Sequence, residues 1–245
     1  MNDIIRPDLP EVIGLRGACA YAPENTLASI HTAADMGISW ISLNVKLTKD
    51  SVPVVYGRDP LDDLTTGHGL IKNRTYDEIK ALDAGSHFAE SFYGEPIPTL
   101  EKALDIIAEH GLGLNLEVIP SEGVEEDTAE AAFDMISRIW DDPRPLLISS
   151  NKAECLDVAN FYLEDFARGL ILEEPMKDWE ELAERLGVSA ITMPDIQELA
   201  NEFSIKQFSN KDLAVLIHVD DDEGRASELL SLGVSSVIMA SPDLL

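Results

Sequence analysis

The sequence is poor in cysteine and basic residues, and it contains no long apolar run. Its two cysteines, Cys19 and Cys155, lie far apart without metal-ligand spacing, which argues against a disulfide framework or a zinc site and indicates two free thiols. The longest apolar runs are about five to seven residues, far short of the ~20 that a transmembrane helix needs. The first seven residues lack the apolar core of a signal peptide. We therefore expect a cytoplasmic protein without membrane attachment.

Basic residues are outnumbered: 18 lysines and arginines stand against 46 aspartates and glutamates, for a formal net charge of −28 at pH 7. A field of that sign repels phosphate groups, so nucleic acid and anionic membrane surfaces are not expected as partners. A small phosphorylated ligand would need positive charge concentrated at its own site. The composition leaves the oligomeric state open.

The chain of 245 residues, 45% of them hydrophobic, is long enough for one large core and is interpreted as a single domain over 1–245. Short apolar runs alternate with helical patterns, which predicts βα units around a parallel sheet. Nine runs resemble strands: 12–15, 40–47, 53–56, 113–118, 145–149, 168–172, 189–193, 214–219 and 235–239. Helical patterns lie at 26–37, 99–111, 124–140, 152–164, 178–187, 196–203 and 222–233.

The second and third strand-like runs are too close together for a parallel connection, which takes a dozen or more residues. We therefore predict an antiparallel hairpin from 40–47 and 53–57. The other eight strands then form a TIM-type (β/α)8 barrel, with the extra hairpin strand following the second strand. In the predicted register Ser42 lies opposite Gly57, and Asn44 lies opposite Val55.

Polar residues alternate with apolar residues along two of these strands. Ser42, Asn44 and Lys46 share one face of the second strand, and Asn115 and Glu117 share one face of the run at 113–118. Both faces of a barrel strand are covered, so polar residues on one of them are expected to face a site or paired groups. We expect these side chains to converge inside the carboxyl-terminal mouth of the barrel.

Arg16 ends the first strand and has two possible roles. It can bind a phosphate through its planar fork of N–H donors, or it can form a buried ion pair with Glu117. A carboxylate in a low-dielectric mouth becomes protonated unless a cation accompanies it. The ion pair is therefore the favoured interpretation.

Seven segments follow one another in an order and spacing typical of a known family, and one of them is Ala-Pro-Glu-Asn-Thr-Leu at 22–27. The set comprises residues 16–17, 22–27, 45–55, 61–62, 65–69, 97–101 and 147–150, and the tail from 232 to 245 resembles the ending of the same family. With them the chain resembles the glycerophosphodiester phosphodiesterase family over nearly its whole length. The resemblance implies a TIM barrel of the PLC-like phosphodiesterase architecture and, for typical members, phosphodiester hydrolysis in glycerophospholipid metabolism.

The family pattern also implies which residues would carry that reaction. Typical members have His-Arg-Gly on the first strand, Glu-x-Asp on the second, His-Asp after the hairpin and Glu-x-Lys on a later strand. The two histidines act as general acid and base, and three carboxylates hold a divalent cation, often Mg²⁺ or Ca²⁺. Here the corresponding positions are occupied by Leu15, Ser42, Asn44, Gly57, Arg58 and Ile119, while Arg16, Gly17 and Glu117 match the family.

These differences predict a member without catalytic residues or metal ligands, whose residual ligand site comprises Arg16, Asn44 and Glu117. Positioned acid–base catalysis contributes ~10²–10⁴-fold, and both of its partners are replaced. A hard dication prefers several oxygen ligands, and one carboxylate with a neutral amide and hydroxyl is a poor set. We expect no bound cofactor, a family reaction that is slow or absent, and a mouth that binds a small phosphorylated ligand.

Two alternatives stay open from the sequence. The chain can be an active phosphodiester hydrolase with relocated catalytic groups, or an interaction module whose mouth has no chemical role. Candidates for relocated groups stand near predicted loop or strand ends: Tyr56, Asp59, His68, Cys19 and His218. Among them His218 is interpreted as a satisfied core histidine and His68 as an exposed loop residue.

Overall fold

The computed structural model describes residues 5–143 and 145–245, which form nine strands and eight α-helices. The strands are β1 (Val12–Leu15), β2 (Trp40–Leu47), β3 (Pro53–Val55), β4 (Gly113–Val118), β5 (Leu146–Ser150), β6 (Ala167–Ile171), β7 (Ala190–Pro194), β8 (Ala214–His218) and β9 (Ser236–Met239). The helices are α1 (Leu27–Asp35), α2 (Tyr76–Ile79), α3 (Leu100–His110), α4 (Glu125–Ile139), α5 (Ala153–Tyr162), α6 (Trp179–Leu186), α7 (Glu202–Ser209) and α8 (Glu223–Ser231). All nine predicted strands are present.

Eight of the strands close into a parallel barrel. The sheet order is β1-β9-β8-β7-β6-β5-β4-β2-β3, and a further pairing between β1 and β2 joins the ends of the barrel. The ninth strand, β3, is antiparallel to β2 and lies outside the closed ring. The prediction of a (β/α)8 barrel with one extra hairpin strand is confirmed.

The register of the hairpin differs by one residue from the prediction. Val45 pairs with Val55, and Leu47 pairs with Pro53. The predicted pairing of Asn44 with Val55 and of Ser42 with Gly57 is therefore wrong. The turn explains the shift in register. The carbonyl oxygen of Thr48 accepts a hydrogen bond from the backbone amide of Ser51, and Ser51 has a φ of +61°. The loop therefore contains one residue more than the predicted tight turn at 49–50.

Helix ends follow the local sequence in most places. Thr26 caps α1 through its side chain, Thr99 caps α3, and Gly111 ends α3 in the left-handed conformation. The predicted helix at 196–203 is wrong, because Asn201 provides the cap and α7 runs over Glu202–Ser209 instead. Within the described ranges, no helix has the length and apolarity to cross a membrane.

The alignment of β2 with β4 positions the polar side chains in the barrel. Trp40 pairs with Gly113 at the lower end of these strands, and a Cβ atom on Gly113 would lie 2.2 Å from the indole ring. Because Gly113 has no side chain, the indole of Trp40 occupies that space at the amino-terminal end of the barrel. In the same register Asn44 is paired with Glu117, near the carboxyl ends of the two strands. Both side chains therefore reach the mouth.

Candidate functional site

A buried carboxylate lies at the centre of the barrel mouth. Ser42 Oγ donates to Glu117 Oε1 at 2.8 Å, and Asn44 Nδ2 donates to Glu117 Oε2 at 2.9 Å. Asn115 Nδ2 donates to Oε1 at 3.2 Å and is itself fixed by Ser149, whose hydroxyl donates to Asn115 Oδ1 at 2.6 Å. All five side chains are buried. The predicted convergence of the polar faces of β2 and β4 is thus observed.

The amide of Asn44 is held on its other side by the loop that follows β1. Asn25 Nδ2 donates to Asn44 Oδ1 at 3.1 Å, and the backbone amide of Asn44 donates to Asn25 Oδ1 at 3.0 Å. Asn25 holds this position with a φ of +59°, a conformation in which asparagine is enriched among non-glycine residues. The carbonyl oxygen of Asn44 is consequently occupied by a donor from the protein itself.

Arg16 pairs with Glu24, not with Glu117 as the sequence led us to expect. Arg16 Nη1 lies 2.7 Å from Glu24 Oε2, and the two side chains are 27% and 14% exposed. The favoured Arg16–Glu117 pair is therefore wrong. The loop after β1 folds back on itself, because Arg16 has a φ of +50° and its carbonyl oxygen accepts a hydrogen bond from the backbone amide of Asn25. This brings Glu24, the residue before Asn25, beside the guanidinium of Arg16.

The group that contacts Glu117 in place of Arg16 is an imidazole. His218 ends β8, and its Nε2 lies 3.2 Å from Glu117 Oε1 with 27% of the side chain exposed. The interpretation of His218 as a satisfied core histidine does not include this contact. The position of His218 was nevertheless a usable signal, because a polar residue at the carboxyl end of a barrel strand faces the mouth.

Glu117 is held in its ionised form. Burial opposes ionisation of this carboxyl group, but the charge and hydrogen bond of His218, the hydroxyl of Ser42 and the charge of Arg16 outweigh it. The pKa of Glu117 consequently lies below its ordinary value. Arg16 acts on the carboxylate through space, although it does not contact it.

The divalent cation implied by the family resemblance does not fit these residues. Both oxygens of Glu117 already accept hydrogen bonds, the carbonyl of Asn44 accepts from Asn25, and Ser42 uses its proton on Glu117. Hard dications need several free oxygen ligands, most of them charged. Across residues 5–143 and 145–245, no three histidine, cysteine, aspartate or glutamate side chains are grouped to hold a metal ion.

The two positions of the family histidines are occupied without any proton-transfer group. Leu15 is paired with Ser42 across the β1–β2 contact, and its side chain packs on the apolar interior of the barrel. A Cβ atom on Gly57 would lie 2.9 Å from Asn25 Nδ2 and 3.0 Å from Asn44 Oδ1. The space beside Gly57 is therefore filled by the Asn25–Asn44 pair.

The other candidate relocated groups do not join this cluster. Asp59 pairs with the buried Lys46 at 2.8 Å and accepts from Ser121, and His68 contacts Asp62 on an exposed loop. Tyr56 donates its hydroxyl to the backbone of Pro60. Burial raises the pKa of the Cys19 thiol to about 11, so this cysteine stays protonated at neutral pH.

Comparison with known proteins places these features on a familiar scaffold. The profile of the glycerophosphoryl diester phosphodiesterase family matches residues 16–244. A solved structure of an Oleispira antarctica phosphodiesterase, in complex with the product sn-glycerol-3-phosphate, superposes with a TM-score of 0.91 at 35% identity. The superposition covers 96% of this chain and 94% of that one.

Curated relatives agree with this match. A glycerophosphodiester phosphodiesterase of Caldanaerobacter subterraneus is 40% identical over 124 residues, which are 49% of this chain and 51% of the relative. The chain therefore spans about half the length of that relative in the alignment. A glycerophosphodiester phosphodiesterase of Bacillus subtilis is 28% identical over 257 residues, covering 99% of this chain and 87% of the relative.

Proposed function

Since the chain belongs to the glycerophosphoryl diester phosphodiesterase family, we propose that it binds a small phosphorylated ligand in the barrel mouth without hydrolysing it. The proposal rests on the hydrogen bonds that both carboxylate oxygens of Glu117 already accept from the protein. Its oxygens accept from Ser42, Asn44 and Asn115 and contact His218, so the carboxylate acts as the centre of a hydrogen-bonded network. Such a carboxylate is a poor ligand for a cation and a poor general base. The ligand is proposed to bind without a divalent cation.

Arg16 is the proposed recognition group for the phosphate. Its guanidinium carries five N–H donors, and among the described residues Glu24 takes the one hydrogen bond that the side chain donates. The buried Nε of Arg16 and the buried Oε1 of Glu24 have no hydrogen-bond partner in the described part of the chain. In a ligand that carries a phosphate and neighbouring hydroxyl groups, the phosphate oxygens can accept from Arg16 Nε, and a hydroxyl group can donate to Glu24 Oε1. The phosphodiesterase of Oleispira antarctica binds a ligand of this kind.

Thermal unfolding in EDTA tests this proposal. We expect sn-glycerol 3-phosphate to raise the unfolding temperature, because a ligand that binds only the native state stabilises it. At 100 times its Kd, such a ligand adds about 2.7 kcal/mol to the free energy of unfolding. Glycerol and inorganic phosphate, added separately, should act more weakly because each satisfies only part of the site. Added Mg²⁺ should leave the shift unchanged.

Arginine variants locate the binding. Arg16→Ala should abolish the shift, and Arg16→Lys should weaken it because lysine lacks the bidentate fork. Arg185→Ala is the matched control, since Arg185 pairs with Asp157 on the exposed surface of the helical layer. A shift that requires Mg²⁺, or one that survives in Arg16→Ala, would overturn the proposal.

A second candidate function rests on the contact between His218 and Glu117. An imidazole oriented by a carboxylate is an arrangement that hydrolases use for general acid–base catalysis. His218 is partly exposed at the mouth, so it is accessible to a ligand. In this alternative the chain hydrolyses a phosphodiester without a metal, and the reaction is lost in His218→Ala.

A further inference from the structure

An unpartnered acceptor lies at the carboxyl end of β5, three strands around the barrel from β1. Asn151 Oδ1 is buried, and no donor in the described part of the chain contacts it. Asn151 follows β5 directly, where Leu147 packs in the apolar interior of the barrel and Ser149 donates to Asn115. The alternation along the strand places Asn151 on the same inward face, one step nearer the mouth than Ser149. A buried acceptor at this position calls for a donor from a ligand, because an unsatisfied carbonyl is costly.

The strand ends beside Asn151 are accessible from the mouth. Ile171, Pro194 and His218 are the last residues of β6, β7 and β8, and each is half-buried. Pro194 pairs with His218 in parallel register, so the two side chains share the inward face. A ligand in the mouth therefore meets the amide of Asn151 next to apolar side chains.

The rim above this side of the mouth is negatively charged. Glu173 and Glu174 are exposed in the loop after β6, the strand that pairs with β5. Among residues 5–143 and 145–245, neither carboxylate has an ion-pair partner. The charge of Lys152, which follows Asn151, acts on Glu125 at the start of α4. The potential beside Asn151 therefore favours a cationic group.

An acceptor below a negative rim matches a positively charged donor. We propose that the ligand is a phosphodiester whose second alcohol carries a primary ammonium group, and that this group donates to Asn151 Oδ1. The inference rests on the proposed function, in which Arg16 binds the phosphate. A trimethylated ammonium has the same charge but no N–H donor, so Asn151 selects against it. Asn151 is then a specificity-determining residue of the mouth.

Isothermal titration in EDTA with two matched ligands tests this inference. sn-Glycero-3-phosphoethanolamine and sn-glycero-3-phosphocholine carry the same charges and differ in the three methyl groups on the ammonium. We expect the wild type to bind the ethanolamine ester at least about tenfold more tightly, the contribution of one hydrogen bond from a charged donor. Asn151→Leu should remove this preference and leave the Kd of sn-glycerol 3-phosphate unchanged, because that ligand lacks the second alcohol. Asn151→Asp keeps an acceptor and should retain the preference.

Two controls separate ligand recognition from a structural role of Asn151. Asn210→Leu changes an exposed asparagine at the end of α7 and should bind all three ligands like the wild type. Asn151→Leu removes an unpartnered buried carbonyl, so the unfolding temperature of the unliganded chain should not fall. A residue that only supports the fold would lower it.

The outcomes distinguish this inference from the proposal on which it rests. A wild type that binds none of the three ligands would overturn both. Binding of sn-glycerol 3-phosphate with equal affinity for the two diesters would overturn only the assignment of the ammonium group to Asn151. A preference that survives in Asn151→Leu would overturn that assignment as well.

Discussion

Replacement of Glu117 by alanine is expected to lower the free energy of unfolding by about 3–5 kcal/mol, the range for removing one partner of a buried charge pair. The substitution leaves the donors of Ser42, Asn44 and Asn115 buried without an acceptor. It also removes the carboxylate that His218 contacts. Each unsatisfied buried donor costs about 1–3 kcal/mol, partly recovered as neighbouring groups rearrange. Denaturant unfolding at neutral pH measures the change.

Two further variants distinguish the stability lost with the hydrogen bonds of Glu117 from the stability lost by removing any negative charge. Glu130→Ala removes an exposed carboxylate in the middle of α4 and should stay within about 0.5 kcal/mol of the wild type. Glu117→Gln keeps the shape but offers one acceptor oxygen instead of two, so its loss should be intermediate. A Glu117→Ala protein as stable as Glu130→Ala would contradict the described network.

The same carboxylate gives the stability a defined pH dependence. The pKa of Glu117 in the folded state lies below its ordinary value of about 4.3, so its ionisation stabilises the fold fully above that value. That contribution is lost as the pH falls through the lower, folded-state pKa. Comparison of wild type with Glu117→Gln from pH 7 to pH 3 should show the difference in stability shrinking only at the acid end.

Phosphodiesterase activity is expected to rise by about 10²–10⁴-fold when the family residues are restored together, the contribution of a positioned acid–base pair. The restored set is Leu15→His, Ser42→Glu, Asn44→Asp, Gly57→His, Arg58→Asp and Ile119→Lys. It replaces the neutral groups around Glu117 with the carboxylates that a hard dication prefers. Release of sn-glycerol 3-phosphate from a glycerophosphodiester in Mg²⁺ measures the gain.

Single restorations should fail, and Gly57→His shows why. Its Cβ would lie 2.9 Å from Asn25 Nδ2 and 3.0 Å from Asn44 Oδ1, so the ends of both amide side chains must shift to admit the histidine. One histidine alone also supplies neither the second proton-transfer group nor the carboxylates that a dication prefers. The restored set with Glu117→Gln is the control and should lose its gained activity. A wild type as active as the restored set would contradict the account, as would restored activity that survives Glu117→Gln.

The fold was predictable because its signals are local. Short apolar runs separated by capped helices define the βα units, and the five-residue gap after β2 permits only a hairpin. The register of that hairpin was not predictable, because it depends on the positive φ of Ser51 in the loop. The start of α7 was missed for a similar reason: apolar residues from Ile196 resemble a helix, yet the cap is at Asn201.

The site was predictable in part. Alternation along β2 and β4 identified Asn44 and Glu117 as inward-facing neighbours, since a parallel register aligns residues of one face. The partners of Arg16 and Glu117 were not predictable, because they depend on a loop turn and on barrel closure. Glu24 reaches Arg16 through left-handed backbone, and His218 reaches Glu117 across the barrel. The position of His218 at the end of β8 indicates that it faces the mouth, but it does not indicate which residue His218 contacts there.

A direct assay of the wild-type chain tests the central claim, which is that the barrel mouth keeps the scaffold of its family but not the family reaction. The purified protein is incubated with a glycerophosphodiester in EDTA, Mg²⁺ or Ca²⁺, and released sn-glycerol 3-phosphate is followed over time. The account predicts no release above the buffer rate under any of these conditions. Hydrolysis that requires Mg²⁺ or Ca²⁺ and is lost in Glu117→Gln would contradict it, and metal-independent hydrolysis lost in His218→Ala would establish the second candidate function instead.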